Sequence, residues 1–272
     1  MFLHSGCNAA IVEHNFISAM AAWSTTTEPV DDNTSANVAL VYDNNAGGNV
    51  CNSKGCCFGT IGQAVTHLAS AGGFVEVPVG VFSEQVNINE AGITLRGRGD
   101  ASVIIFNTSG NGGYAIWVHS GAHFTNIRDL QVATLTSGTD AIRFSGVNFC
   151  RVYNVEIDEA VRDGISAIGS DNLIVEESQV TFCTRNGILL SGGCSGAIIG
   201  KNFIELCSGH AVQVADGGGI IINSNFIDRT WDDGILLSGS DNTVVGNRIA
   251  NWTNEAVDDN SVGSTVANNT IG

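Results

Sequence analysis

The sequence predicts an all-β chain: a right-handed parallel β-helix (solenoid) with an N-terminal amphipathic capping helix. Three observations carry this. A small residue followed by a β-branched one recurs at Ala115-Ile116, Ala141-Ile142, Gly164-Ile165, Gly187-Ile188, Ala211-Val212, Gly234-Ile235 and Ala256-Val257, at steps of 26, 23, 23, 24, 23 and 22 residues. A second column, Ile157, Val180, Ile204, Ile227 and Ile249, continued by Ile271, stands seven residues upstream of the later marks. Between the columns lie segments such as GILLSG, GIIINSNFI and NTVVGNRI, whose period-2 alternation of β-branched residues is that of strands too short to fold alone. A repeat of this length buries its apolar side only by stacking on its neighbours.

Composition agrees. The 272 residues include 34 glycines but 2 prolines, and 43% are apolar, which suits short strands joined by glycine or asparagine corners and is too apolar for a disordered chain. Acidic residues outnumber basic ones by 27 to 11, a formal charge of −16 that repels phosphate backbones and anionic lipid, so nucleic acid is excluded as a partner. No apolar run approaches the ~20 residues of a membrane span. The first residues, MFLHSGCNAAIVEHNF, carry no basic n-region and interrupt their apolar run at Glu13, His14 and Asn15, so no signal peptide is visible. An acidic, lysine-poor surface with eight cysteines nevertheless fits an extracellular or virion-surface location.

In chain order, residues 1–24 form an arm, residues 25–59 a linker with a cysteine cluster, and residues 60–272 the solenoid, opened by a capping helix over 60–71. Thr60 serves as N-cap, Ile61, Ala64, Val65, Leu68 and Ala69 share one helical face, and Gly72 is the stop signal. An open coil end exposes core side chains and unpaired strand edges, so a cover is needed there. Further on, Asn202, Asn225, Asn247 and Asn269 each stand two residues before the isoleucine of the second column, where stacked amides can satisfy corner backbone groups. Cys183 and Cys207 share an offset on neighbouring coils, open to a disulfide or to a stack of reduced thiols; Cys51, Cys56 and Cys57 are further disulfide candidates. No cysteine pair has zinc-finger spacing with histidines, and no metal site is expected.

From Thr60 onward the chain resembles the pectate-lyase-like right-handed parallel β-helix superfamily. The resemblance is carried by the helix, by FVEVPVGVFSEQ from Phe74, by TLRGRG from Thr94, and by the later coils. It implies the fold; for function it implies only a choice, because the superfamily includes polysaccharide lyases, hydrolases, epimerases, phage tailspikes and adhesins. CSGHAV at 207–212 resembles the Gly-His-Gly of polygalacturonases and WDDG at 231–234 their paired aspartates, but the order is reversed and their Arg-x-Lys is absent. Calcium-dependent pectate lyases would require an arginine base beside calcium-binding aspartates; Arg162-Asp163 and Arg185 are the nearest pairing. Calcium is therefore the single cofactor that the resemblance raises, and eleven basic residues in all argue against a polyuronate cleft.

Two functions follow from the residues. Residues 2–17, FLHSGCNAAIVEHNFI, look like a displaced coil: Cys7 precedes Ile17 as Cys194 precedes Ile204, and Asn15-Phe16-Ile17 matches Asn202-Phe203-Ile204. Docked beyond Asn269 and Ile271, on its own last coil or a second copy's, this arm would make the protein a self-associating subunit of an extracellular appendage or virion. This is the favoured expectation, with cell-surface or extracellular polysaccharide as a further partner. The other is a polysaccharide-acting enzyme. Its catalytic candidates come from the corner series Asp140, Asp163, Asn186, His210, Asp233 and Glu255, narrowed to Asp232, Asp233, Glu255 and His210, with Trp231 and Trp252 as sugar contacts. The competing reading of the same series is corner chemistry, since Asp-Gly and Asn-Gly pairs bond local backbone.

Overall fold

The computed structural model describes residues 50–52, 57–68, 72–106, 113–135 and 138–272. The expected arm, with Cys7, Asn15, Phe16 and Ile17, lies outside the described residues, as do Cys56 and the side chains of Cys51 and Cys57. The rest is a parallel β-helix. One coil lays down Ile174–Glu176, Gln179–Cys183 and Ile188–Ser191, which we call faces one, two and three. Each strand pairs in parallel with its counterpart one coil on. Face three is an eight-stranded sheet from Val86–Ile88 to Val257–Asp259.

Both sequence columns are stacking columns. Ile165, Ile188, Val212, Ile235 and Val257 pair in succession on face three, and Ile157, Val180, Ile204, Ile227, Ile249 and Ile271 on face two. Side chains alternate along each strand, so these inward columns, joined by Val175, Ile199, Ile222 and Val244 on face one and by Leu190, Val214 and Leu237 on face three, fill the tube. The small residue before each face-three strand has a steric cause: a Cβ at Gly164 would meet Val180 Cγ1 at 2.6 Å and the Gly187 carbonyl oxygen at 2.7 Å.

The expected asparagine ladder is present at the corner between faces one and two. Asn225 Oδ1 accepts the Asn202 backbone N–H at 2.9 Å and its Nδ2 at 3.0 Å, while Asn225 Nδ2 donates to the Ile199 carbonyl and to Asn247 Oδ1, each at 2.9 Å. Asn247 and Asn269 repeat the pattern. These amides are the ladder partners of backbone groups that the turn removes from the strands.

Three details bear on the expectations. The helix α1 covers Ile61–His67, with Leu68 at its end placing its N–H on the Val65 carbonyl, and residues 69–71 of the expected span lie outside the described residues. Its start is held twice, by Thr60 Oγ1 accepting from Gln63 and by Glu84 accepting from Ile61 and Gly62 at 2.8 and 3.0 Å. Part of the expected linker is strand: Val50–Asn52 pairs antiparallel with Cys57–Phe58 and with Gly73–Glu76, covering an edge of the first coil. Cys183 and Cys207 stack as buried free thiols, so the bridge is not formed. A hydrogen bond with Cys207 and burial push the Cys183 thiol well above its usual range, which keeps it protonated and unreactive.

Replacing Asn225 by alanine strands the Asn202 N–H and the Ile199 carbonyl inside the corner. Stability should fall by about 2–3 kcal/mol, seen as a lower urea midpoint with an unchanged slope; an unaltered midpoint would show that the ladder contributes nothing.

Candidate active site

The corner between faces two and three holds the series named from sequence, and its side chains are tied to backbone. Each takes the N–H of the residue one coil on: Asp140 from Asp163 at 3.2 Å, Asp163 from Asn186 at 3.1 Å, Asn186 from His210 at 3.2 Å, His210 Nδ1 from Asp233 at 3.3 Å, and Asp233 from Glu255 at 3.0 Å. Asp140 and Asp163 are fully buried and also bind the guanidinium groups of Arg162 and Arg185. This is the corner chemistry that Asp-Gly sequences favour.

Of the four catalytic candidates, three meet. His210 Nδ1 lies 3.2 Å from Asp233 Oδ2, and Nε2 lies 3.8 Å from Asp232 Oδ2. Their ligand atoms fall within 4.8 Å of one another, a set able to hold a metal ion where the sequence gave no reason to expect one. Stacking is the cause: residues 22 and 23 apart in sequence become neighbours on adjacent coils. Glu255 joins through its backbone only, and its side chain is exposed. The two tryptophans do not form one platform. Trp252 pairs with Thr230, one position before Trp231, so Trp252 packs on the core while Trp231 is 64% exposed.

A second site was not named from sequence. A groove of about 490 Å³ runs along the outer corner between faces one and two, lined among others by Asp100, Asn154, Glu156, Glu177, Gln179, Lys201 and Phe203. Glu156 stands outward between the buried Val155 and Ile157, in register with Gln131 and Gln179 on the neighbouring coils. Glu177 occupies the corner in the left-handed region, φ 52°, with its carboxylate outside. The two carboxyls are driven apart. Burial, then the charges of Asp158 and Asp100, hold Glu156 above the ordinary carboxylate range. The Tyr153 hydroxyl, donating at 2.8 Å, holds Glu177 below it, with desolvation opposing and the Lys201 ammonium, 3.5 Å away, assisting. A carboxyl that holds its proton more tightly than usual, in the same groove as one that holds it less tightly, is the combination that general acid–base chemistry uses. The signal in sequence was the recurrence of Glu156 and Glu177 at outward and corner positions, which charge on any solvated face also produces.

Residues 140–272 match the family model described as a right handed beta helix region. The fold is a right-handed parallel β-helix. Among solved β-helix structures, an alginate lyase from a Paenibacillus species is similar at TM-score 0.63 and 17% identity, over 78% of this chain and 92% of that one. The catalytic unit of an α-1,3-glucanase from Streptomyces thermodiastaticus is similar at TM-score 0.61 and 20% identity, over 72% of this chain and 38% of that one. A protein of Geobacillus virus E2 follows at TM-score 0.53 and 13% identity, over 78% and 55%. At such identities the β-helix likeness is one of fold. No curated protein sequence matches the chain. No helix among the described residues is long and apolar enough to cross a membrane.

If Asp233 is a corner residue, Asp233→Ala should lower stability by about 1–3 kcal/mol, since the Glu255 N–H and the Asn254 amide lose their acceptor, whereas Asp232→Ala should leave it unchanged. Equal urea midpoints for the wild type and Asp233→Ala would remove the corner role.

Proposed function

We propose that the protein is a polysaccharide-acting enzyme, a glycoside hydrolase on neutral glycans, with the groove of Glu156 and Glu177 as its active site. The observation that carries this reading is two carboxyls lining one groove, one shifted above and one below the ordinary carboxylate range. Glu156 would give its proton to the departing glycosidic oxygen, while the ionised Glu177 would assist attack on the anomeric carbon, either directly or by taking a proton from water. Asp100, Asp158 and the overall charge of −16 disfavour a uronate chain, and neutral sugar hydroxyls find partners in Gln179, Asn154 and Lys201. The glucanase likeness supports the fold's fitness for such chemistry and no more.

The sequence favoured self-assembly, and one observation keeps it as a second reading. Asn15-Phe16-Ile17 carries the spacing of Asn269-Thr270-Ile271 and would continue both the amide ladder and the inward column in a head-to-tail contact. Under this reading, deleting residues 1–24 should convert polymers into monomers in sedimentation velocity. Identical profiles before and after deletion would sink it.

For the enzymatic reading, Glu156→Gln should abolish release of reducing ends from neutral polysaccharides, a loss of about 10²–10⁴-fold, with circular dichroism unchanged. The pH profile should be bell-shaped and lie toward acid. Activity rises as Glu177 ionises, below the ordinary range, and falls as Glu156 loses its proton, above it. A profile without an alkaline limb of this origin, or full activity in Glu156→Gln, would end the assignment.

A further inference from the structure

Charge at the corner between faces two and three follows a rule. Asp140 and Asp163, both fully buried, each receive a guanidinium from the residue just before the next rung, Arg162 for Asp140 and Arg185 for Asp163. Asp233 holds the same position three coils beyond Asp163 and is 2% exposed, yet the residue before its next rung is Asn254. No lysine or arginine pairs with Asp233 among the described residues. Its two oxygens are served unequally. The Asn254 amide at 2.8 Å and the Glu255 N–H at 3.0 Å both donate to Oδ1. Oδ2 receives neither and faces His210 Nδ1 at 3.2 Å. That nitrogen has no proton to offer, because it accepts the Asp233 N–H at 3.3 Å. Two bare acceptors thus face each other in a corner almost closed to solvent, an arrangement that calls for a cation. Asp232 stands where Arg162 and Arg185 stand on earlier coils, and it brings a second carboxylate, with Oδ2 3.8 Å from His210 Nε2.

We propose that His210, Asp232 and Asp233 bind a divalent first-row transition metal ion, with Zn²⁺ as the type, which takes the place of the arginine missing from this rung. The site is separate from the groove of Glu156 and Glu177 and does not depend on the hydrolase reading. Ligand atoms about 2.1 Å from a metal that subtend roughly 100° lie about 3.2 Å apart, which is the separation of Nδ1 and Asp233 Oδ2. Asp232 completes a set whose ligand atoms fall within 4.8 Å of one another. The tautomer that ligates is the one present, with Nδ1 bare, and the ion displaces only the long N–H contact to that nitrogen. Donor type selects the ion: imidazole suits Zn²⁺ and its neighbours, whereas Ca²⁺ and Mg²⁺ prefer oxygen throughout. Two carboxylates balance its double charge and remove the uncompensated charge inside the corner. The Asp232 side chain is 47% exposed, so the ion has a side open to solvent where water completes its shell. His210 belongs to one coil and the two aspartates to the next, so the ion also clips two coils together.

The test uses the full chain, stripped of metal by chelation and dialysis, with Zn²⁺ alone as the probe and Ca²⁺ as the comparison. The variants are His210→Gln and Asp232→Ala; the second leaves the corner's hydrogen bonds in place, because those run through His210 and Asp233. Calorimetry should find a Zn²⁺ ion on the wild type that both variants lose, with affinity falling about 100-fold or more. At Zn²⁺ roughly 100-fold above Kd, the wild-type Tm should rise by about 5 °C. Asp232→Ala should match the metal-free wild type in Tm and show no such rise. The part of the Co²⁺ spectrum that Asp232→Ala abolishes should carry no thiolate charge-transfer band, which separates this site from any cysteine cluster. Ca²⁺ should leave Tm where it was. A wild-type Tm indifferent to Zn²⁺, the same rise in Asp232→Ala, a thiolate band in the abolished spectrum, or Ca²⁺ bound as tightly as Zn²⁺ would each overturn the site. Should His210→Gln fail to fold, Asp232→Ala decides alone.

Discussion

The rest of this molecule depends on registered stacking of like on like. Each coil donates and accepts backbone hydrogen bonds to the next, so a side chain's neighbour is its counterpart twenty-odd residues away rather than its neighbour in sequence. Two corners would break that continuity, and both are repaired by side-chain acceptors. At the corner between faces one and two, an amide oxygen accepts from the coil before it; at the corner between faces two and three, a carboxylate, amide or imidazole accepts from the coil after it. The second repair draws on chemically versatile residues, so Asp140, Asp163, His210 and Asp233 resemble catalytic groups while bonding backbone.

The groove has the opposite character. Its carboxyls repair nothing in the backbone. Glu156 receives only a long contact of 3.4 Å from the Gln131 amide, and it remains close to Asp158 and Asp100 in a partly desolvated place. Glu177 is stabilised as an anion by Tyr153 and Lys201, one from the previous coil and one from the next. Opposed protonation preferences a coil apart are therefore a direct result of stacking.

Legibility in the sequence followed periodicity. Both inward columns, the asparagine ladder and the capping helix could be placed from spacing because burial imposes one residue class on each position. Helix length could not, since the cap at Leu68 is a backbone hydrogen bond that no residue type announces. Trp231 and Trp252 stand one residue out of register, which in a strand reverses the face and is decided only by the pairing. Glu156 and Glu177 went unnoticed because outward positions tolerate any polar residue, and nothing in their spelling distinguishes a desolvated carboxyl from a hydrated one.

The sequence by itself determined the architecture: a repeat whose apolar positions recur at fixed offsets has no way to bury them except by coiling and stacking. Only the tertiary structure decided which acidic residues are spent on corners and which face a groove. That distinction lies in hydrogen bonds between coils and in local desolvation, quantities that exist only once segments separated by a full turn are brought within a strand spacing of each other.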